Sequence, residues 1–302
     1  MIVAVGEILF DKFPDYQRIG GAPFNFAYHL KALGYEVRFI SRIGNDNDGK
    51  TILRLLRKEQ LNTDFVQLDK THKTGEVLIR LETNGNAQFD ILPDVAYDYI
   101  QYDPEIGLIL NQAELLYFGS LVQRSEYGFQ SLGKMVGAKG EKTKCLYDVN
   151  LRPNCFNELI VRTSLDRANV VKLNHEEMSV IQQLLDYDLD AESFVECLIK
   201  DYDLDMVSLT KGQAGSSLYT RERCYRIKPQ RSVNVVDTVG AGDAYTAILA
   251  IGYLQNWHPE KILDAATEFA SRICEIKGAF PSDSQFYGDF RCRIQGKCNE
   301  KT

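Results

Sequence analysis

Gly20-Gly-Ala-Pro-Phe-Asn-Phe-Ala-Tyr-His-Leu-Lys-Ala-Leu-Gly34 lies between two short apolar runs, Met1-Ile-Val-Ala-Val-Gly6 and Val37-Arg-Phe-Ile40, and its reading decides the fold. Phe26, Ala27, Leu30 and Leu33 recur on one helical face, a helix of about nine residues that Gly34 can stop. Met1–Gly6 is mostly β-branched and too short for a helix, so it reads as a buried strand, and Val37–Ile40 reads as a second. The loop Asn45 to Asp48 then leads into another helix with Ile52, Leu53, Leu55 and Leu56 on its apolar side. Strand, helix, strand, helix predicts an α/β protein: a central, mostly parallel sheet with helices packed outside it.

Farther along, Glu114–Gly119, Lys144–Asp148, Val170–Asn174 and Leu204–Thr210 are further short strands. Three of them end in Asp148, Asn174 or Thr210, at the carboxyl ends where open α/β sheets bind ligands. Asp243–Tyr253 and Lys261–Ile273 read as helices, and the last twenty residues as a surface tail. The alternation breaks once. Glu76–Glu82 and Ala87–Leu92 are strand-like around a turn, Thr83-Asn-Gly-Asn86, which predicts a hairpin without a crossover helix. Such a hairpin either adds to the sheet edge or stands off as a small sheet able to cover a ligand. With no repeat and no Gly/Ser linker, residues 1–302 read as a single domain.

The chain has 302 residues, enough to bury roughly three quarters of its unfolded surface. Its 35 Lys and Arg against 42 Asp and Glu leave a net charge of -7, which argues against a nucleic-acid or acidic-membrane partner. No apolar run approaches the roughly 18 residues of a membrane span, and no secretory leader is legible, so a cytoplasmic protein is expected. The seven cysteines are scattered without a CxxC pair, and Cys292 and Cys298 have no histidine near them. His29, His72, His175 and His258 are dispersed and read as structural or exposed.

Chemistry concentrates in Val235-Val-Asp-Thr-Val-Gly-Ala-Gly-Asp-Ala-Tyr-Thr246. Gly240, Ala241 and Gly242 precede an apolar helix, so their N–H groups and the helix dipole can form one anion site. Asp243 follows in the first turn. Amides that accept charge beside a carboxylate that accepts a hydroxyl proton suit phosphoryl transfer. A tight turn with Asp243 as a cap is the alternative. Neither the GxxxxGK[ST] spacing nor an N-terminal GxGxxG is present.

Gly6-Glu-Ile-Leu-Phe-Asp11, Gly20-Gly-Ala-Pro-Phe-Asn25 and Asp237-Thr-Val-Gly-Ala-Gly-Asp243 together resemble the ribokinase-like (PfkB) carbohydrate kinases, and within them the fructokinases. The resemblance implies a three-layer ribokinase-like fold with a small β lid, here segments of about residues 10–18 and 72–92. It implies that Asp243 is the base, that Gly240, Ala241 and Gly242 form the anion hole, and that Asp11, Gly20, Gly21 and Asn25 hold the sugar. Arg152, in Asp148-Val-Asn-Leu-Arg152, is offered to either the sugar or the phosphate. Asn174 and Glu177 match an NxxE pattern in which Glu177 organises water around Mg²⁺ and Asn174 lies near the nucleotide phosphates. Lys172 either assists there or reaches solvent. Thr210, Gly212 and Gly215 resemble a nucleotide loop, and Thr267 with Gly278–Ser282 an adenine rim. Relatives also bind a monovalent cation, which suggests K⁺ between Asp237, Val239, Gly278 and Ser282.

The expected activity is ATP-dependent phosphorylation of a sugar primary hydroxyl, with fructose preferred over ribose, tagatose or 2-keto-3-deoxygluconate. A non-catalytic sugar or nucleotide sensor is the competing class, and a homodimer through the lid is implied. All of this requires the Gly240–Gly242 amides and Asp243 to face a cavity opposite Asp11 and Asn25.

Overall fold

The computed structural model describes residues 1–81, 87–228, 234–281 and 285–294. The elements begin β1 (Ile2–Val5), β2 (Leu9–Lys12), β3 (Gln17–Gly20), α1 (Ala22–Ala32), β4 (Val37–Gly44), α2 (Asn47–Lys58), β5 (Val66–Asp69), β6 (Gly75–Leu81) and β7 (Ala87–Ile91). They continue α3 (Pro104–Gln112), β8 (Leu115–Gly119), α4 (Glu126–Gly137), β9 (Lys144–Asp148), α5 (Glu158–Arg167), β10 (Val170–Asn174), α6 (His175–Leu184) and α7 (Ala191–Asp201). The last are β11 (Met206–Thr210), β12 (Ser216–Thr220), β13 (Cys224–Ile227), α8 (Ala241–Leu254), α9 (Pro259–Cys274) and α10 (Gln285–Ile294). The chain divides into two compact units. One comprises Met1–Phe24, Val37–Cys145 and Val149–Arg167; the other comprises Asn25–Glu36, Leu146–Asp148 and the described residues from Ala168 onward.

In the first unit β8, β1, β4 and β5 lie side by side and parallel. Ile2 is registered with Leu115 on one side and Val37 on the other. Every residue of β1 and β8 is buried, as strands covered on both faces require. The strand expected at Val37–Ile40 runs on to Gly44, because Ser41 and Ile43 are also buried. Asp46 starts α2 by accepting from the Gly49 amide at 2.8 Å, and Ile52 and Leu56, one turn apart, face inward.

The hairpin strands are β6 and β7, while their turn, Thr83–Asn86, lies outside the described residues. They do not extend the parallel sheet. They join β2 and β3 in a separate four-stranded sheet of order β3-β2-β6-β7, in which β2 pairs parallel to β6 and antiparallel to β3. Lys12 on β2 binds Glu76 on β6 at 2.8 Å and Asp48 on α2 at 2.9 Å, tying this sheet to the helix.

In the second unit β10 runs parallel to β9 and β11, and β12 and β13 return antiparallel. Register sets Lys172 against Asp148, and Asn174 against Thr210. Every residue of α8 from Ala244 to Gly252 is buried, which explains why no polar face is legible in its sequence. The C-terminal stretch corrects the expected surface tail. Residues 285–294 form α10, which buries Tyr287, Phe290 and Ile294 and sets Phe290 against Phe269, tilted, with ring centroids 4.6 Å apart. The residues after 294, Cys298 among them, lie outside the described residues.

The docking of α10 buries His29 of α1. Its Nδ1 shares a hydrogen bond of 2.9 Å with the Tyr287 hydroxyl, and Phe269 meets the ring edge-on. Burial pushes its pKa down from 6.5 to about 3. The unfolded chain therefore takes up a proton below about pH 6.5 that the folded imidazole refuses. Stability from this group is present above that pH and is lost as pH falls towards 3. Urea titrations at about pH 7.5 and about pH 5 should show wild type losing about 2 kcal/mol more than His29→Leu over that interval. Equal losses would refute the assignment.

Candidate active site

Asp243 stands in the first turn of α8, and Gly240 is the residue that opens the helix. Gly240 has φ 77° and provides no side-chain cap, so the first amides of α8 are not taken by a capping side chain. A Cβ there would come within 2.4 Å of the Ala279 Cβ, so both the backbone angle and the neighbour demand glycine. The Ala241 amide donates to the Thr238 carbonyl at 3.3 Å, and the start of α8 presents the positive end of the helix dipole, a setting that fits a phosphoryl group.

Asn25 lies within the first turn of α1, which begins at Ala22, so it is not the cap of that helix. Its Nδ2 donates to Asp243 Oδ2 at 2.6 Å. Its Oδ1 is buried and has no hydrogen-bond partner among the described residues. A buried acceptor left over beside a carboxylate fits a hydroxyl-bearing ligand.

Beneath this turn Lys172 is buried, with its Nζ 3.1 Å from Asp148 Oδ1. An ideal Cβ on Gly242 would stand 3.3 Å from the same Nζ, so the ammonium lies against the first turn of α8. Lys172 therefore does not reach solvent. Burial opposes its charge, but Asp148, Glu177 and Asp243 outweigh burial and hold its pKa above the ordinary lysine range. Thr246, one turn after Gly242, places its hydroxyl 2.8 Å from the Gly242 carbonyl and 3.2 Å from Asp148 Oδ2.

Asn174 and Glu177 form a reciprocal cap at the start of α6. Asn174 Oδ1 accepts from the Glu177 amide and Glu177 Oε2 from the Asn174 amide, each at 2.8 Å. The NxxE pattern thus has a structural use whatever else it does. Thr210 ends β11, and Gly212 and Gly215 bound a short turn closed by the Lys211 amide on the Gly215 carbonyl at 2.8 Å. Thr267 of α9 joins Ser216, next to that turn, through their hydroxyls at 3.0 Å. Asp237 bridges two segments, accepting from the Val239 amide at 3.1 Å and the Gly278 amide at 3.0 Å. Ser282 lies outside the described residues.

The first unit holds Asp11, Gly20, Gly21 and Arg152. A Cβ on Gly21 would lie 2.5 Å from the Glu7 carbonyl, and one on Gly20 would lie 3.0 Å from Asp11 Oδ2. Asp11 faces Arg18 across the β2–β3 pair, with Arg18 Nε at 3.5 Å. Burial raises the Asp11 pKa, and Arg18 and Arg152 act against that rise. Arg152 is exposed, yet close enough for its charge to be felt there.

Sequence reasoning missed two features. Asp148 was expected as a ligand-bearing strand end, but it is fully buried on Lys172 and Thr246. Thr246 is not marked out by its sequence position alone, although a hydroxyl one turn after Gly242 in a largely apolar helix is a legible signal.

The pattern of the pfkB family carbohydrate kinases matches residues 16–285, and the chain belongs to that family. It is accordingly an ATP-dependent carbohydrate kinase. It is 27% identical over 308 residues to fructokinase-2 of Oryza sativa subsp. japonica, covering 93% of this chain and 90% of the relative. It is 29% identical over 272 residues to the fructokinase of Escherichia coli, covering 86% and 87%. The crystal structure of the Xylella fastidiosa fructokinase with bound ATP superposes with a TM-score of 0.84 over 98% of each chain at 21% identity. At that identity the likeness is one of fold, the ribokinase-like α/β fold with its large, mostly parallel sheet.

Replacing Gly240 by alanine should cost about 1–3 kcal/mol from backbone angle alone, with more from Ala279. Urea unfolding of Gly240→Ala measures it, and an unchanged midpoint would contradict the close approach drawn here.

Proposed function

We propose that the chain is a fructokinase, transferring the γ-phosphoryl group of ATP to a primary hydroxyl of fructose. The observation that carries this reading is the Asn25–Asp243 hydrogen bond of 2.6 Å at the opening of α8, with Asn25 Oδ1 left to accept. Asp243 takes the proton of the reacting hydroxyl, whose oxygen bonds to the γ-phosphorus as the bond to ADP breaks. The amides of Gly240, Ala241 and Gly242 stabilise the charge on the phosphoryl oxygens. Asp11, Gly20, Gly21, Asn25 and Arg152 hold the sugar. Lys172, Asn174, Thr210, Gly212, Gly215 and Thr267 serve the nucleotide. The four-stranded sheet of the first unit acts as a lid that keeps water from ATP and carries a homodimer contact.

Among the described residues no three of His, Cys, Asp and Glu form a cluster that could hold a metal ion. Mg²⁺ would supply charge neutralisation of the phosphates, and Glu177 would orient its water. K⁺ would be held by Asp237, Val239, Gly278 and Ser282. The free cysteines of the described residues suit a reducing, ATP-rich cytoplasm. No described helix is long and apolar enough to cross a membrane.

The influence of Arg152 on Asp11 favours a second reading, a sugar acid such as 2-keto-3-deoxygluconate, whose carboxylate Arg152 would pair. A coupled ADP-release assay separates them. Fructose should give the highest kcat/KM among fructose, ribose, tagatose, adenosine and 2-keto-3-deoxygluconate, and the reaction should need Mg²⁺. Asp243→Asn should bind sugar normally while losing at least about a hundredfold in kcat. ADP release independent of any sugar, or normal turnover by Asp243→Asn, would defeat the proposal.

A further inference from the structure

Asp148 and Thr246 have no part in the assignments above, yet they sit directly behind the phosphoryl site. Asp148 is wholly buried; one carboxylate oxygen takes Lys172 Nζ at 3.1 Å and the other takes the Thr246 hydroxyl at 3.2 Å. The Thr246 hydroxyl also lies 2.8 Å from the Gly242 carbonyl, so its single proton is shared between the buried carboxylate and the helix turn that carries the anion site. These contacts join β9, β10 and the first turn of α8.

A buried ion pair is a poor choice for stability, since two apolar side chains of similar volume serve as well or better. Its orientation bears on the helix start instead. The ammonium lies against the first turn of α8, the positive end of that helix, where a cation is repelled and an anion is welcomed. The carboxylate end of the pair takes the Thr246 hydroxyl. The raised pKa of Lys172 agrees with a permanent charge at this point. An ammonium that is already charged and fixed against the start of α8 is ready for an incoming anion, and that gives the pair a part in the reaction.

We propose that Asp148 and Thr246 are positioning residues for phosphoryl transfer. They hold the Lys172 ammonium against the Gly240–Gly242 turn, where it meets the charge that gathers on the phosphoryl group as it moves. This rests on the kinase reading above and adds two residues to it, both linked to Lys172. Because negative charge shifts onto the leaving oxygen of ADP and spreads over the three equatorial phosphoryl oxygens only at transfer, loss of the Thr246 hydroxyl lowers kcat and leaves ground-state binding alone.

The test uses the full chain with Thr246→Val, which keeps the shape and removes the hydroxyl, and Thr246→Ser, which restores it. Thr246→Val should lower kcat about tenfold with KM for ATP and fructose within about twofold of wild type, and Thr246→Ser should recover most of the loss. In a Lys172→Met background the Thr246→Val change should add nothing, because the group it positions is gone. Calorimetric titration with magnesium–ADP should give equal affinities for wild type and Thr246→Val. Magnesium–ADP with aluminium fluoride and fructose should bind the variant about tenfold more weakly.

Full activity in Thr246→Val, no rescue by serine, an undiminished effect in the Lys172→Met background, or equal affinity for the aluminium fluoride complex would each overturn the proposal. Should Lys172→Met not fold, the valine and serine variants with the calorimetry decide. Asp243→Asn distinguishes the levels. If it is inactive while Thr246→Val is fully active, the positioning role fails and the kinase stands; if Asp243→Asn turns over normally, the kinase mechanism itself fails.

Discussion

An ammonium and a carboxylate, Lys172 and Asp148, lie 3.1 Å apart in an interior that admits almost no water, and much of the second unit is arranged around them. Removing one partner of so buried a pair costs about 3–5 kcal/mol, because the charge left behind loses its nearest compensation. Parallel registry of β9 and β10 brings them level, and α8 closes over them with its glycine turn because any side chain on Gly242 would press on the ammonium. The pair thus couples two strands to the helix end on which Asp243 stands.

The rest of the site uses the same physics at lower cost. Strand ends and helix starts carry unsatisfied backbone groups, and the chain supplies partners for some while leaving others open. Asn174 and Glu177 close the start of α6 reciprocally, whereas Gly240 opens α8 with no capping side chain. An uncapped helix start above buried charge is poised for an anion, and a capped one is not. Asn25 contributes likewise, with one side of its amide spent on Asp243 and the other left unpartnered.

Much of this was legible beforehand. The strands at Met1–Gly6, Lys144–Asp148 and Val170–Asn174 could be read because buried parallel strands are continuous apolar runs. The glycine turn at the start of α8 could be read because Gly240-Ala-Gly242 stands directly before an apolar helix. Residues 285–294 could not: with Gly288 and two arginines the segment lacks an obvious periodicity, and its helix exists because Tyr287, Phe290 and Ile294 find His29 and Phe269 waiting. The hairpin was visible from its own pattern, whereas its partners at about residues 10–18 came from the family resemblance, since β2 and β3 are short and only partly buried.

The amino-acid order by itself determined the alternation of elements, the family, and the identity of the groups at the carboxyl ends of the strands. These depend on local periodicity and on residue types at short spacing, which a linear text records. Only the tertiary structure decided that Asp148 faces inward to Lys172 and Thr246 instead of outward to a ligand, and that Asn25 touches Asp243 across 218 residues of chain. Such pairings depend on strand register and helix packing, which arise from the sum of many weak apolar contacts and leave no mark at any single position.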